Sequence, residues 1–223
     1  MNNKITSVIF DMDGVIFDSE RLILDCWEKV GEKYKVAGIR QVFTECIGTN
    51  NRKTQEIVYA HYGASFPYEE FRKEASVFFQ KYLKDEGLPV KKGVRELLQY
   101  LQKEGIPIGL ASSTRQAVVE EELRQAGLHD YFQVIMGGDK LKRSKPEPDI
   151  YLMTCEKMGT LPENTYAIED SHNGIRSAYS AGMMPIMVPD LLQVTDEMKE
   201  KSVAIFDDLL QVIQYFHSFA GTK

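Results

Sequence analysis

From residue 88 onward, short β-rich runs alternate with helical segments. The β-rich runs lie at 106–111, 134–136, 166–168, 185–188 and 203–205, and the helical patterns lie at 92–104, 115–126, 148–158, 172–180 and from 207 onward. Parallel strands need a long crossover between them, which is usually a helix, so this alternation predicts a parallel sheet. With a further β-rich run at 5–10, the chain is predicted to form an α/β fold with a Rossmann-like parallel-sheet core.

The stretch from 19 to 84 has a helical pattern throughout. Its apolar residues recur at positions i, i+4, i+7 and i+11, which is the spacing of one helix face: Ile23, Trp27, Val30 and Tyr34 in one segment, and Phe71, Ala75, Phe78 and Tyr82 in another. We therefore expect an all-helical cap domain over 16–87, inserted into a core domain formed by 1–15 and 88–223, with hinges near 14–18 and 85–90.

Composition and charge exclude several classes of protein. The net charge of −6 and the pI near 5.4 argue against a general nucleic-acid or anionic-membrane footprint. Cys26, Cys46 and Cys155 are far apart and unpaired in spacing, so neither a disulfide framework nor a zinc site is indicated. With no signal-peptide pattern and no apolar run approaching ~20 residues, we expect a cytoplasmic protein, with a monomer as the default. The helical segment that would cover the site favours a small substrate.

Polar residues follow several of the predicted strands. In open parallel sheets the carboxyl ends of the strands face the active site, so these residues are expected to converge. Carboxylates suit Mg²⁺, whereas a hydroxyl at a helix start and an ammonium group suit a phosphate. The set therefore indicates a phosphate site with a metal, and it comprises Asp11, Asp13, Ser112, Lys145, Glu169 and Asp170.

Four short motifs in this order resemble those of the haloacid dehalogenase superfamily. They are D-M-D-G-V at 11–15, A-S-S at 111–113, S-K-P-E-P-D at 144–149 and I-E-D-S at 168–171. The resemblance extends over nearly the whole chain, and it is to the branch with a helical cap that includes β-phosphoglucomutase and small sugar-phosphate phosphatases. It implies a Mg²⁺-dependent phosphohydrolase that works through an aspartyl-phosphate.

The resemblance also implies a role for each motif residue. Asp11 would be the nucleophile and a magnesium ligand, and Asp13 the general acid and base, with its backbone carbonyl on the metal. Asp170 would bind the metal directly, and Glu169 directly or through one water. The remaining positions would hold the phosphoryl group: Ser112, Ser113 and Lys145.

These residue types also have ordinary structural uses. Asp11 and Asp13 are common in turns, although an EF-hand loop would need its glycine two positions beyond Gly14. Ser112, Ser113 or Asp170 could cap a helix. A lysine before a proline, as at Lys145, is usually solvated, so the case for chemistry depends on the four motifs occurring together.

The cap sequence favours hydrolysis over phosphoryl transfer to a sugar. The mutase pattern has a histidine where this chain has Leu22, and a basic residue where it has Ile47 before Gly48. We therefore predict a phosphatase of a small sugar or polyol phosphate. The alternatives are a phosphohexomutase and a non-catalytic phosphate- or metal-binding member, while dehalogenation is disfavoured because it needs neither Asp13 nor the acidic pair.

The segment at 48–53 supplies candidate specificity residues. Asn51 and Arg52 carry polar groups suited to a distal part of the substrate, although a solvated helix start would have the same composition. Phosphonate cleavage would need a Schiff-base lysine in the cap, for which Lys53 is the weak candidate.

Overall fold

The computed structural model describes residues 5–47, 51–141 and 143–220, and the chain divides into two compact units. The sheet unit consists of Met1–Phe17 and Val90–Lys223, and the helical unit consists of Asp18–Pro89. The boundaries expected from the sequence, after residues 15 and 87, differ from these by two residues at each crossing.

The helical unit contains four helices among its described residues. They are α1 (Ser19–Tyr34), α2 (Ile39–Cys46), α3 (Asn51–Tyr62) and α4 (Tyr68–Glu86). Trp27 lies at the centre of their core, with ring centroids 5.3 Å from Phe43 and 5.2 Å from Phe71 in edge-to-face contacts, an arrangement that aromatic quadrupoles favour.

One predicted apolar face of this unit differs from the observed one. Phe71 and Ala75 are buried on α4, but Phe78 and Tyr82 are 44% and 38% exposed. The half-buried residue is Phe79 instead. The inward side of α4 thus passes through 71, 75 and 79, because packing against neighbouring helices, and not hydrophobicity alone, decides which face turns inward.

The sheet unit is built on six strands. They are β1 (Ser7–Phe10), β2 (Ile108–Ser112), β3 (Val134–Gly137), β4 (Thr165–Glu169), β5 (Met184–Met187) and β6 (Ala204–Ile205). All are parallel, in the order β3-β2-β1-β4-β5-β6. This confirms the predicted α/β fold with a Rossmann-like parallel sheet and an inserted helical segment.

Six helices accompany the sheet in the described part of this unit. They are α5 (Val94–Lys103), α6 (Gln116–Gln125), α7 (Asp149–Met158), α8 (His172–Ser180), α9 (Asp196–Lys201) and α10 (Leu209–Ala220). The sequence pattern predicted five of them but not α9, which has one buried apolar residue, Met198. Its start is stabilised locally because the Thr195 side chain accepts a hydrogen bond from the Met198 backbone N–H.

Strand register brings the predicted site together. Phe10 at the end of β1 pairs with Leu110 on one side and with Ile168 on the other. The next residue, Asp11, donates its backbone N–H to the Ile168 carbonyl at 2.9 Å. Asp11 therefore lies between the ends of β2 and β4, where the direction of strand order reverses and open α/β sheets place their ligands.

Among the described residues, no helix has the length and apolar character that crossing a bilayer requires.

Candidate active site

Lys145 joins two carboxylates that are more than 20 residues away in sequence. Its ammonium lies 2.5 Å from Asp11 Oδ1 and 2.6 Å from Glu169 Oε1. It also donates to the Ala111 carbonyl at 3.1 Å. The Lys145 side chain is 7% exposed, so this is a buried ion-pair cluster and not a solvated lysine.

Asp11, Glu169 and Asp170 form the acidic centre of the site. All three are buried, and each offers a carboxylate oxygen within 4.8 Å of the others. Gly14 leaves room for this centre, since a Cβ there would lie 2.1 Å from Asp170 Oδ2. Its φ of +80° is also a conformation that glycine adopts readily. The D-x-D-G pattern thus has a steric reason.

The donor set fits a hard divalent cation. Three carboxylates against one ammonium leave a formal charge of −2 in a buried site, and Mg²⁺ prefers oxygen ligands of this kind. Desolvation by burial raises the pKa of Asp11 well above its ordinary value. Lys145 opposes that shift, whereas Glu169 and Asp13 add to it. The site therefore carries excess negative charge that a divalent ion would compensate.

The Lys145 side chain is protonated in this environment. Burial by itself would lower the pKa of its ammonium group, but the opposing charges of Asp11 and Glu169 outweigh burial and raise the pKa above its ordinary value. Lys145 therefore remains a cation at neutral pH, as a phosphate-binding role requires.

Asp13 and Ser112 are connected through Thr114. The Thr114 hydroxyl donates to Asp13 Oδ2 at 3.1 Å, and the Thr114 backbone N–H donates to the Ser112 hydroxyl oxygen at 3.0 Å. Ser112 is fully buried at the end of β2, whereas Ser113 is exposed. Thr114 was not among the site residues predicted from the sequence, because no local signal identifies its contact with a residue 101 positions earlier.

Tyr151 is a second residue of the site that was not predicted from the sequence. Its hydroxyl donates to Glu169 Oε1 at 2.6 Å, and the Lys145 ammonium lies 3.3 Å from the same hydroxyl oxygen. Burial raises the pKa of Tyr151 well above its ordinary value, and the negative charges of Glu169 and Asp11 raise it further. The hydroxyl therefore stays protonated. Its proximity to the S-K-P-E-P-D motif was the available signal.

Helix α6 carries a partly buried carboxyl group, that of Glu122, which interacts electrostatically with Asp13. Burial, with a smaller contribution from the charge of Asp13, raises the pKa of Glu122 from its ordinary 4.5 to about 7. The folded state therefore holds this proton more tightly than the unfolded chain does. Stability falls as the pH rises from about 4.5 to about 7, and the penalty persists above that range.

Replacing Glu122 by glutamine should remove this penalty. We expect Glu122→Gln to raise the free energy of unfolding at pH 8 by about 1 kcal/mol, allowing for partial exposure to water, and to leave it unchanged at pH 4. Urea unfolding at both pH values measures the effect. The neighbouring exposed residue provides the control, Glu121→Gln, which should show no such pH dependence. Equal stability of native and Glu122→Gln proteins at pH 8 would contradict the prediction.

The candidate specificity residues lie in the helical unit. This unit contains a cavity of about 390 Å³ whose wall includes Ile23, Trp27 and Asn51. Arg52 is 89% exposed and pairs with Glu56 at 3.4 Å. Gly48, Thr49 and Asn50, also considered in the sequence analysis, lie outside the described residues.

Leu22, the residue compared with the mutase histidine, does not line the cavity of the helical unit. Leu22 is buried, at 7% exposure, and the cavity has Ile23 rather than Leu22 in its wall. Neither residue is a histidine, so neither side chain can donate or accept a proton.

Comparison with known proteins identifies the family. A family model described as haloacid dehalogenase-like hydrolase matches residues 8–188, which is most of the chain. The protein therefore belongs to the haloacid dehalogenase-like hydrolase family.

Individual relatives match over most of their length. A phosphorylated carbohydrates phosphatase of Thermotoga maritima is 34% identical over 181 residues, covering 79% of this chain and 82% of the relative. Hexitol phosphatase B of Escherichia coli is 31% identical over 190 residues, covering 83% of this chain and 84% of the relative. With the family match, these two relatives identify the protein as a phosphohydrolase of this family. The crystal structure of a provisionally assigned β-phosphoglucomutase from Thermotoga maritima has 31% identity and a TM-score of 0.76, covering 94% of this chain and 99% of that one.

Proposed function

We propose that the protein is a Mg²⁺-dependent phosphatase that hydrolyses a small sugar or polyol phosphate through an aspartyl-phosphate formed on Asp11. The observation that carries the proposal is the buried cluster in which Lys145 contacts both Asp11 and Glu169 beside Asp170. A carboxylate attacks an anionic phosphate slowly unless cations neutralise both. In this reading the sheet unit is the catalytic domain and the helical unit the cap.

Asp11 is the proposed nucleophile. Its carboxylate attacks the phosphorus in line with the leaving oxygen, and the new oxygen–phosphorus bond forms as the ester bond breaks. Mg²⁺, held by Asp11, Glu169, Asp170 and the backbone carbonyl of Asp13, would supply positive charge to the phosphoryl oxygens. Lys145 adds a second cation at the nucleophile.

Asp13 is the proposed general acid and base. It protonates the leaving alkoxide in the first half-reaction, and it then takes a proton from the water that hydrolyses the aspartyl-phosphate. The hydrogen bond from the Thr114 hydroxyl to Oδ2 helps to orient this carboxylate.

Ser112, Ser113 and Lys145 are the proposed ligands of the phosphoryl group. The Ser112 hydroxyl oxygen accepts from the Thr114 backbone, which leaves its own proton for a phosphoryl oxygen. Helix α6 begins at Gln116, directly after this segment, and helix starts favour anions through their N–H groups.

The cap residues favour hydrolysis over isomerisation of a sugar phosphate by a mutase reaction. No histidine stands at position 22 or 23, and the two relatives compared above by sequence are named as phosphatases of carbohydrate or hexitol phosphates. The likeness to a provisionally assigned β-phosphoglucomutase keeps the mutase as the second candidate. Asn51 and Arg52 are proposed to contact the distal part of the substrate.

A panel of small sugar and polyol phosphates tests the proposal. We expect inorganic phosphate release with Mg²⁺ and none after chelation, and we expect Arg52→Ala to raise KM for the preferred substrate. The same samples should be assayed for glucose 6-phosphate formed from β-glucose 1-phosphate. Isomer formation without phosphate release would replace the phosphatase by the mutase. Mg²⁺ binding with no turnover of any substrate would indicate a non-catalytic member.

A further inference from the structure

The Glu169 carboxylate is surrounded by hydrogen-bond donors from three parts of the sheet unit. Its side chain is fully buried. Oε1 accepts from Lys145 and Tyr151, both at 2.6 Å, and Oε2 accepts from the Ser171 hydroxyl at 3.1 Å. A buried carboxylate needs such donors because it has no water to replace them. The plane of this carboxylate is therefore set by its protein neighbours.

Tyr151 is the neutral member of this set and contacts both charged members. Its ring lies under the Lys145 ammonium, with the nitrogen 4.9 Å from the ring centroid. Its hydroxyl donates to Glu169 and lies 3.3 Å from the same ammonium. Lys145, Tyr151 and Glu169 thus form a closed triangle, of which one corner also contacts Asp11.

The Tyr151 ring is held in place by the core of the sheet unit. It is the third residue of helix α7, and it packs in a buried cluster that includes Ile9, Ala111 and Met136. These residues come from β1, β2 and β3. The hydroxyl position is therefore fixed by the same strands that carry Asp11 and Ser112 to the site.

We propose that Tyr151 is a positioning residue of this active site, whose hydroxyl fixes the orientation of Glu169 and the separation of Lys145 from it. Without the hydroxyl, Lys145 would be the one remaining hydrogen-bond donor to Glu169 Oε1 among the residues that the structure describes. The carboxylate would then turn toward the ammonium and away from the position in which it serves a metal. This inference rests on the proposed function, because it assigns Glu169 to Mg²⁺.

The variant Tyr151→Phe removes the hydroxyl and keeps the ring that fills the core. Partners that orient metal ligands typically contribute 10–100-fold to affinity or activity, so we expect the Mg²⁺ dissociation constant, measured by titration calorimetry, to rise at least about 10-fold. At saturating Mg²⁺, kcat should fall while KM for the phosphomonoester stays near the native value. A purely structural tyrosine would change the melting temperature instead.

Tyr166→Phe is the matched control. Tyr166 is a buried tyrosine of the same unit on β4, where its ring packs on Phe216 at 5.2 Å and on Tyr215 at 6.5 Å. This variant loses a buried hydroxyl away from the site, so it should retain native Mg²⁺ affinity. A second test combines Tyr151→Phe with Glu169→Gln. If Tyr151 acts through Glu169, the combined loss of Mg²⁺ affinity should be smaller than the product of the separate losses.

Each outcome of these measurements either supports or contradicts the positioning role of Tyr151. Native Mg²⁺ affinity and kcat in Tyr151→Phe would overturn the positioning role, and so would a variant that fails to fold, because the hydroxyl would then serve folding. Multiplicative losses in the double variant would also contradict action through Glu169. If the native protein itself bound no Mg²⁺, the proposed function would fail first, which separates the two failures.

Discussion

Asp11→Asn should abolish phosphate release, with a loss of at least about 10⁴-fold, because removing the nucleophile of a covalent mechanism leaves little more than substrate binding. The variant should nevertheless fold. Burial and neighbouring carboxylates raise the pKa of Asp11, so charge at this position destabilises the folded state, and a neutral amide should make the metal-free protein at least as stable at neutral pH. Phosphate release and urea unfolding measured on the same preparation check both statements.

A second variant separates nucleophilic attack from acid–base chemistry. Asp13→Asn retains Asp11, and p-nitrophenyl phosphate has a leaving group that departs without protonation. With this substrate we expect a rapid burst of nitrophenolate equal to the enzyme concentration, followed by slow turnover reduced about 10²–10⁴-fold, since general base catalysis of the second half-reaction is lost. Asp11→Asn should show no burst. A burst in that variant, or full turnover in Asp13→Asn, would contradict the assignment of roles.

Lys145→Met should weaken both activity and stability. Methionine keeps the unbranched side chain, one atom shorter, but removes the cation that contacts Asp11 and Glu169. Losing one partner of a buried charge cluster costs about 3–5 kcal/mol, so the free energy of unfolding without metal should fall by that amount. Phosphate release should fall about 10²–10³-fold, the usual loss when a group that stabilises transition-state charge is removed.

Mg²⁺ and a surface lysine provide the controls for this prediction. Because the variant site has more uncompensated negative charge, added Mg²⁺ should restore part of the lost stability. Lys140 is exposed at the end of a short 3-10 helix, Gly138–Lys140, so Lys140→Met should leave stability and activity near native. A metal-free Lys145→Met protein as stable as the native one would show that the cluster does not need this cation.

Local patterns accounted for most of the fold and less of the side-chain geometry. Strands and long helices were predictable because apolar periodicity reports burial along a single element. Helix α9 was not, since six residues with one buried methionine are too few to show a period. The direction of Phe78 and Tyr82 was also misjudged, because the orientation of α4 depends on the helices that pack against it.

The amino-acid sequence by itself determined the order of the strands and long helices, and the identity of the residues at or directly after the ends of β1, β2 and β4. Those facts suffice to gather Asp11, Ser112 and Glu169 at one edge, because parallel strands align their carboxyl ends. Tertiary structure alone decided which side chains touch. Lys145 meets Asp11 across 134 positions, and Thr114 meets Asp13 across 101. Contacts of a few ångströms between residues so far apart arise when the core packs, so no local pattern encodes them.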